Sequence, residues 1–174
     1  ATQKQPSKTI DVTVNVKPTA PTVTPATNGD VTVTPANETN VNKVEVMYTP
    51  ADTNHLQENG NVTKTTHTVT KIVASKGANN KWTITEGDKV GVTINDDTGA
   101  ITLKDHIVKD GTSVSSTDSA QDVSSSSSQA NANNGEQDKP TIGLNNTLVG
   151  VGKAFELSLD LSDGTGVGVD DANI

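Results

Sequence analysis

The sequence predicts an all-β protein built as a β-sandwich. Three observations carry that expectation. Apolar residues recur with a period of two, the mark of half-buried strands, and no stretch sustains the 3.6-residue apolar spacing of a helix. Turn signals separate the short β-branched runs, Asn28-Gly29 and Asp110-Gly111 being the clearest. The apolar supply is thin: 30% of the 174 residues are hydrophobic and 2% aromatic, against roughly 45–50% in ordinary domains. One packed unit is therefore not expected to use the whole chain.

Residues 10–16 alternate Ile10, Val12, Val14 and Val16 against Asp11, Thr13 and Asn15, the pattern of a half-buried strand. Pro18 and Pro21 fix φ in the next segment and bias it toward extended backbone, so 17–21 reads as a short, stiff connector. Two β-branched runs, 22–25 and 31–35, flank Asn28-Gly29-Asp30 and predict a hairpin. Residues 43–49 put Val44, Val46 and Tyr48 on one face. Residues 67–74 predict a strand with imperfectly spaced Val69, Ile72 and Val73. Trp82 and Ile84 share a face in 81–85, and Val90, Val92 and Ile94 share one in 90–94. Asn95-Asp96-Asp97-Thr98-Gly99 turns the chain into a return strand over 100–103. After the Asp110-Gly111 turn, 112–116 predicts a last, polar strand that closes its edge poorly. A strand count and size of this kind fit one immunoglobulin-like β-sandwich over 18–117.

Residues 118–139 hold the serine run 124–128 and the Gln/Ala/Asn/Gly stretch 129–135, with almost nothing to bury. Such a tract cannot offset its ordering entropy, so a flexible linker is expected. The strand-like pattern restarts at Pro140, and Phe155, Leu157, Leu159 and Leu161 alternate with polar residues. Residues 140–174 are thus expected to begin a second, truncated β domain. The chain starts at Ala1 and is expected to be an excerpt of a longer protein.

The ordered motifs Pro21-Thr22-Val23-Thr24-Pro25, Gly29 to Pro35, Val44-Glu45-Val46-Met47-Tyr48-Thr49, Trp82, Gly91-Val92-Thr93-Ile94, Thr98 to Leu103 and Val108 to Thr112 resemble the bacterial immunoglobulin-like repeats of Gram-positive, staphylococcal-type cell-wall-anchored surface proteins. The resemblance covers roughly residues 10–117 and implies an extracellular location at the bacterial cell wall. It also implies that residues 1–17 carry the end strand of a preceding repeat. The unit from Pro140 is similar to cadherin-like or immunoglobulin-like modules of bacterial adhesins. Neighbouring repeats of the same chain, and a host extracellular-matrix protein or glycan, are the partners the resemblance implies.

Charge and motifs narrow the function. A net charge of −8 argues against nucleic acid, which needs a basic surface. No apolar run is long enough to insert in a membrane as a helix. The chain has no Cys, which removes disulfides and thiolate metal sites. His55, His67 and His106 lie far apart in sequence and read as solvent-exposed side chains. No nucleophile elbow occurs, and Gly164-Thr165-Gly166-Val167-Gly168 lacks the Lys of a phosphate-binding loop, so it reads as a turn. Asp160, Asp163, Asp170 and Asp171 surround that turn and are the candidate calcium ligands, because calcium takes several carboxylate oxygens. No closing Glu follows them, and solvated turn carboxylates are the competing reading. Asn95-Asp96-Asp97 fits a hairpin turn better than a cation site. Trp82, Tyr48 and Phe155 are expected to anchor cores, since each aromatic buries a large area. The sequons at Asn37, Asn61 and Asn145 are expected to be unused under the bacterial reading.

The expected function is that of a non-catalytic extracellular module, a stalk, spacer or adhesin repeat in cell attachment, with no organic cofactor. Direct binding of host protein or glycan, with 53–63 as the loop to test, is one alternative. A non-catalytic accessory domain of a secreted hydrolase is the other.

Overall fold

Valine and threonine dominate the strands because β-branched side chains fit a pleated surface buried on one face. The computed structural model describes residues 3–12, 14, 16–135, 141–144 and 159–162. The strands run in the order β1 (Thr22–Pro25), β2 (Val31–Thr34), β3 (Val41–Tyr48), β4 (Thr53–Leu56), β5 (Val62–Thr65), β6 (Thr70–Lys76), β7 (Trp82–Glu86), β8 (Val92–Ile94) and β9 (Ile101–Leu103). A 3-10 turn, Asp105–Ile107, follows, and then β10 (Ser113–Ala120), β11 (Val123–Ser124) and β12 (Ser128–Asn131). Beyond them β13 (Thr141–Leu144) pairs antiparallel with β14 (Leu159–Ser162).

One sheet has the order β1-β2-β9-β8 and the other runs β10-β3-β6-β7, every pairing being antiparallel. β11 and β12 share the outer side of β10: β12 pairs with Ser113 to Ser116, and β11 with Ser119 and Ala120. The two sheets enclose one apolar core, as in a β-sandwich. Val31, Val33, Val92, Ile101 and Leu103 come from the first sheet, and Val44, Val46, Tyr48, Ile72, Ala74, Trp82 and Val114 from the second. Trp82 is buried to 3% exposure, as its phase with Ile84 predicts. Its ring lies where Gly99, at φ 77°, would otherwise carry a side chain: a Cβ there would sit 2.6 Å from the indole. The turn therefore needs glycine both for its backbone angle and for the room.

The hairpin at Asn28-Gly29, the inward set Val44, Val46 and Tyr48, and the 95–99 turn all form as the pattern predicts. Four expectations are corrected. Residues 10–16 form no strand among their described positions, and Ile10, Val12, Val14 and Val16 are 75–79% exposed. Alternation supplies a face, but a strand also needs a ladder, and no described segment pairs with this one. Val90 is exposed rather than inward, because the strand starts two residues later, at Val92. The polar stretch 53–65 is the β4–β5 hairpin, closed from Thr53 opposite Thr65 to Leu56 opposite Val62.

The fourth correction concerns the linker expected over 118–139 and the domain limit at 117. The last polar strand extends to Ala120 and lies inside its sheet, between β3 and the β11/β12 edge. The serine tract supplies that edge. Its ordering rests on backbone pairing and on one core residue, Ala132, which exchanges hydrogen bonds with 111–112: Gly111 N–H donates to Ala132 O at 3.0 Å and Ala132 N–H to Thr112 O at 2.9 Å. Ala132 is buried with the core set. Residues 136–139 of the expected linker lie outside the described residues.

Strand directions define two poles. Thr19 N–H donates to the Glu38 carboxylate at 3.0 Å, so the chain enters beside the β2–β3 connection, at the proximal pole. It leaves at the other end of β1, where Asn133 Nδ2 donates to Ala26 O at 3.2 Å. β3, eight residues long, spans about 25 Å between the poles at roughly 3.3 Å per residue. β1 and β12 lie side by side and run the same way, from proximal to distal pole.

Two outcomes are expected. A chain ending at Thr117 should fail to fold, with red-shifted Trp82 emission and rapid proteolysis, whereas one ending at Gly135 should give native emission. Equal stability of the two would restore the linker. Trp82→Ala should cost about 3–5 kcal/mol in denaturant unfolding of the chain, the range for emptying a buried large-aromatic site.

Candidate functional site at the distal pole

The distal pole is where chemically varied side chains converge. After Tyr48 the chain leaves β3 and pairs with the segment following the 3-10 turn. Pro50 bridges Val108, Ala51 N–H donates to Ile107 O at 2.9 Å, and Lys109 N–H donates to Thr49 O at 2.9 Å. The β4–β5 hairpin rises from this root. Asp52, with a side chain only 12% exposed, holds it through Lys109 Nζ at 3.2 Å and Lys64 Nζ at 3.7 Å. Because Lys109 belongs to the body and Lys64 to the hairpin, one carboxylate ties the two together.

A cavity of about 350 Å³ lies between the hairpin root, the 88–91 loop and the 3-10 turn. Its polar lining comes from Tyr48, Thr53, His67, Thr70, Asp88 and His106. Thr53 Oγ1 and His67 Nε2 lie within hydrogen-bond distance at 2.9 Å. Val90 N–H donates to Asp88 Oδ1 at 3.0 Å, which closes a local turn in the 88–91 loop. Burial lifts the Tyr48 phenol above its ordinary pKa of 10.0, and the Asp88 charge raises it further. Both causes disfavour the phenolate.

His55, His67 and His106 are exposed, as expected. No shared spacing joins them, yet the hairpin folds His67 back to the cavity that His106 lines, while His55, on β4, does not line it. No group of three metal-ligating side chains converges among the described residues. Of the four candidate calcium ligands, Asp160 lies in β14 opposite Gly143. Asp163, Asp170 and Asp171 lie outside the described residues. Asn95 Oδ1 accepts from the N–H groups of Asp97 and Thr98 at 3.0 and 3.1 Å, so that turn satisfies itself locally, and Asp97 pairs with Lys81. A smaller hollow of about 200 Å³ lies at the proximal pole beside Trp82, with Lys76 Nζ 5.4 Å from the indole centroid.

The point where the chain leaves the sandwich adjoins the cavity wall. Gly135 packs against the Asn28 carbonyl and the Asp105 carboxylate, where a Cβ would lie 2.4 Å from the former and 2.9 Å from the latter. Asp105 opens the 3-10 turn whose next residues, His106 and Ile107, line the cavity. Asp105 N–H donates to Asp30 Oδ1 at 3.0 Å, which joins the β1–β2 hairpin to the same cluster.

No protein-family model, curated protein or solved structure matches the chain. Among the described residues no helix is long and apolar enough to cross a membrane.

The Tyr48 shift sets a pH dependence. A raised folded-state pKa means that its contribution is complete below the unfolded value, near pH 10, and is lost as pH rises through the folded one. Tyr48 is the only tyrosine, so phenolate absorbance reports it alone. Its titration should lie above that of the unfolded chain, and Tyr48→Phe should flatten the alkaline loss of stability. A native titration at the unfolded value would contradict the burial.

Proposed function

We propose that the chain is a non-catalytic, immunoglobulin-like module of a bacterial surface protein, acting outside the cell as a stalk or spacer within a longer array. The observation that carries this reading is the placement of the two ends. The chain enters at one pole and leaves at the other, with β1 and β12 adjacent and running in the same direction. Tension applied through the neighbours pulls β1 along its axis against β2, and β12 along its axis against β10. Every ladder hydrogen bond on those strands then bears load together, whereas a chain with both ends at one pole peels one bond at a time. Absence of catalysis is part of the reading. It draws on the Thr53–His67 pair, which has no third group orienting the imidazole among the described residues, in contrast to activated nucleophiles.

Both ends are also held. Pro18 and Pro21 are buried at the proximal pole, and the Thr19 hydrogen bond lowers the Glu38 carboxyl below its ordinary pKa. The location at the cell wall and the immunoglobulin-like assignment rest on the resemblance of the motifs in 10–117.

Single-molecule stretching between handles at Lys17 and Glu136 tests the reading. The sandwich should unfold in one cooperative event at a distinct force, and Gly135→Val, which crowds the Asn28 carbonyl, should lower that force. Gradual lengthening without a distinct event would remove the spacer role. Direct adhesion to a host protein or glycan is the second reading, favoured by the exposed hairpin beside a polar cavity. A matrix-protein and glycan binding screen, repeated after replacing residues 54–63 with a short turn, addresses it.

A further inference from the structure

The exposed apolar residues of the sandwich are unevenly placed. Leu56 on the hairpin, Val69 ahead of β6 and Val90 ahead of β8 are 65%, 56% and 70% exposed. All three belong to segments at the distal pole, and Val90 lines the Tyr48 cavity. The remaining large exposed apolar residues are Met47 on the outer face of β3 and the 10–16 set of the N-terminal arm. Apart from the entering arm, the proximal pole has none among the described residues. Water alone gives no reason to gather three large apolar side chains at one end of a module so poor in them.

Chain geometry indicates what covers them. The exit is pinned at Gly135, against Asp105 and hence beside the cavity wall. Five residues, 136–140, separate Gly135 from the first residue of β13. Six Cα steps reach at most about 20 Å, which is less than the length of the sandwich. The first residue of β13 is thus tethered within reach of the distal pole and short of the proximal one. A tether this short raises the effective concentration of the tethered unit to the millimolar range, so a modest apolar face suffices to hold it. The β4–β5 hairpin is two-stranded and projects from the body, a form that gains stability by packing on a third element.

We infer that the distal pole, with Leu56, Val69 and Val90, is a docking face for the unit that follows it in the same chain, the one containing β13 and β14. The inference rests on the array reading. It adds that the second join is held by contact as well as by its length, so that the hairpin acts as a strut between successive units. The Asp52 bridges to Lys109 and Lys64 transmit that contact to the sandwich.

The test uses the full 174-residue chain at low concentration, with a benzophenone amino acid at Leu56, at Val90 or, as control, at Ala78 in the exposed β6–β7 turn of the proximal pole. Light should cross-link positions 56 and 90 to peptides within 141–162 of the same molecule, and position 78 to none of them. In parallel, Leu56→Asp combined with Val90→Asp should keep native Trp82 emission and make cleavage in 136–140 roughly tenfold faster, since cleavage follows the population of the open form. Absence of cross-links from both positions to 141–162, or unchanged cleavage, overturns the docking. Cross-links between molecules reassign the face to a second copy, which also overturns it. A distinct unfolding force without these cross-links leaves a spacer with a free distal pole. Cross-links without that force leave the contact and remove the spacer.

Discussion

The sandwich depends on how the inward face of β10 is satisfied. That strand sits inside its sheet, and its buried positions are Val114, Ser116, Asp118 and Ala120. Two of the four are polar, and Asp118 is fully buried. Burial of a carboxylate is costly unless its oxygens are bonded. Asp118 Oδ2 accepts from Ala36 N–H at 2.8 Å, which fixes the β2–β3 connection across the sandwich, while buried Oδ1 has no hydrogen-bond partner among the described residues. Ser116 Oγ donates to Glu45 O at 2.7 Å, within the neighbouring strand. The Asp118 backbone is clasped by Ser125, whose Oγ accepts at 3.0 Å and whose N–H donates to Asp118 O at 2.8 Å. Through these bonds one strand holds the opposite sheet, its inner neighbour and the serine tract.

That constraint explains how a chain with so little apolar surface closes a core. Valine buries less area than leucine or phenylalanine, so the sheets need specific polar ties where side chains fail to fill the gap. β12 lies beside β1 at the seam of the two sheets, and Ala132, just past its end, packs with the core. The same seam gives the module its direction. Because β12 follows β1 from one pole to the other, the chain's path through the fold already separates its two ends. The Asp30–Asp105–Gly135 cluster then fixes the exit as firmly as Pro18, Pro21 and Glu38 fix the lead-in.

Much of the framework was legible in the amino-acid order. Alternating Val44, Val46 and Tyr48, the Asn28-Gly29 and Asn95–Gly99 turns, and the pairing of Trp82 with Ile84 are local signals: each arises from side-chain periodicity or from a residue that accepts positive φ. The exposed state of His67 was legible from its polar neighbours Thr66 and Thr68. Composition also separated the body from the poorly apolar tract after it, although it assigned that tract the wrong state.

What the order of residues left open was decided by partners distant in sequence. Residues 10–16 alternate more cleanly than β10 does, yet their described positions form no strand and β10 forms a central one. The physical reason is that a strand is stabilised by its ladder, and β10 finds β3 about seventy residues away. The serine tract was hidden for a related reason. Its turn is Gln121-Asp122, with Gln121 at φ 55° in place of the usual Gly or Asn, and its buried side chains are Ser125 and Ala132, too small to register as a core. The distal site was hidden most completely. His67 and His106 carry no shared spacing, and only the crossing from β3 to β6, folded back as a hairpin and tied by Asp52, brings them to one cavity. Periodicity thus determined which residues turn inward along each strong strand. Long-range hydrogen bonds decided which weak segments became strands, and where the chain leaves the fold.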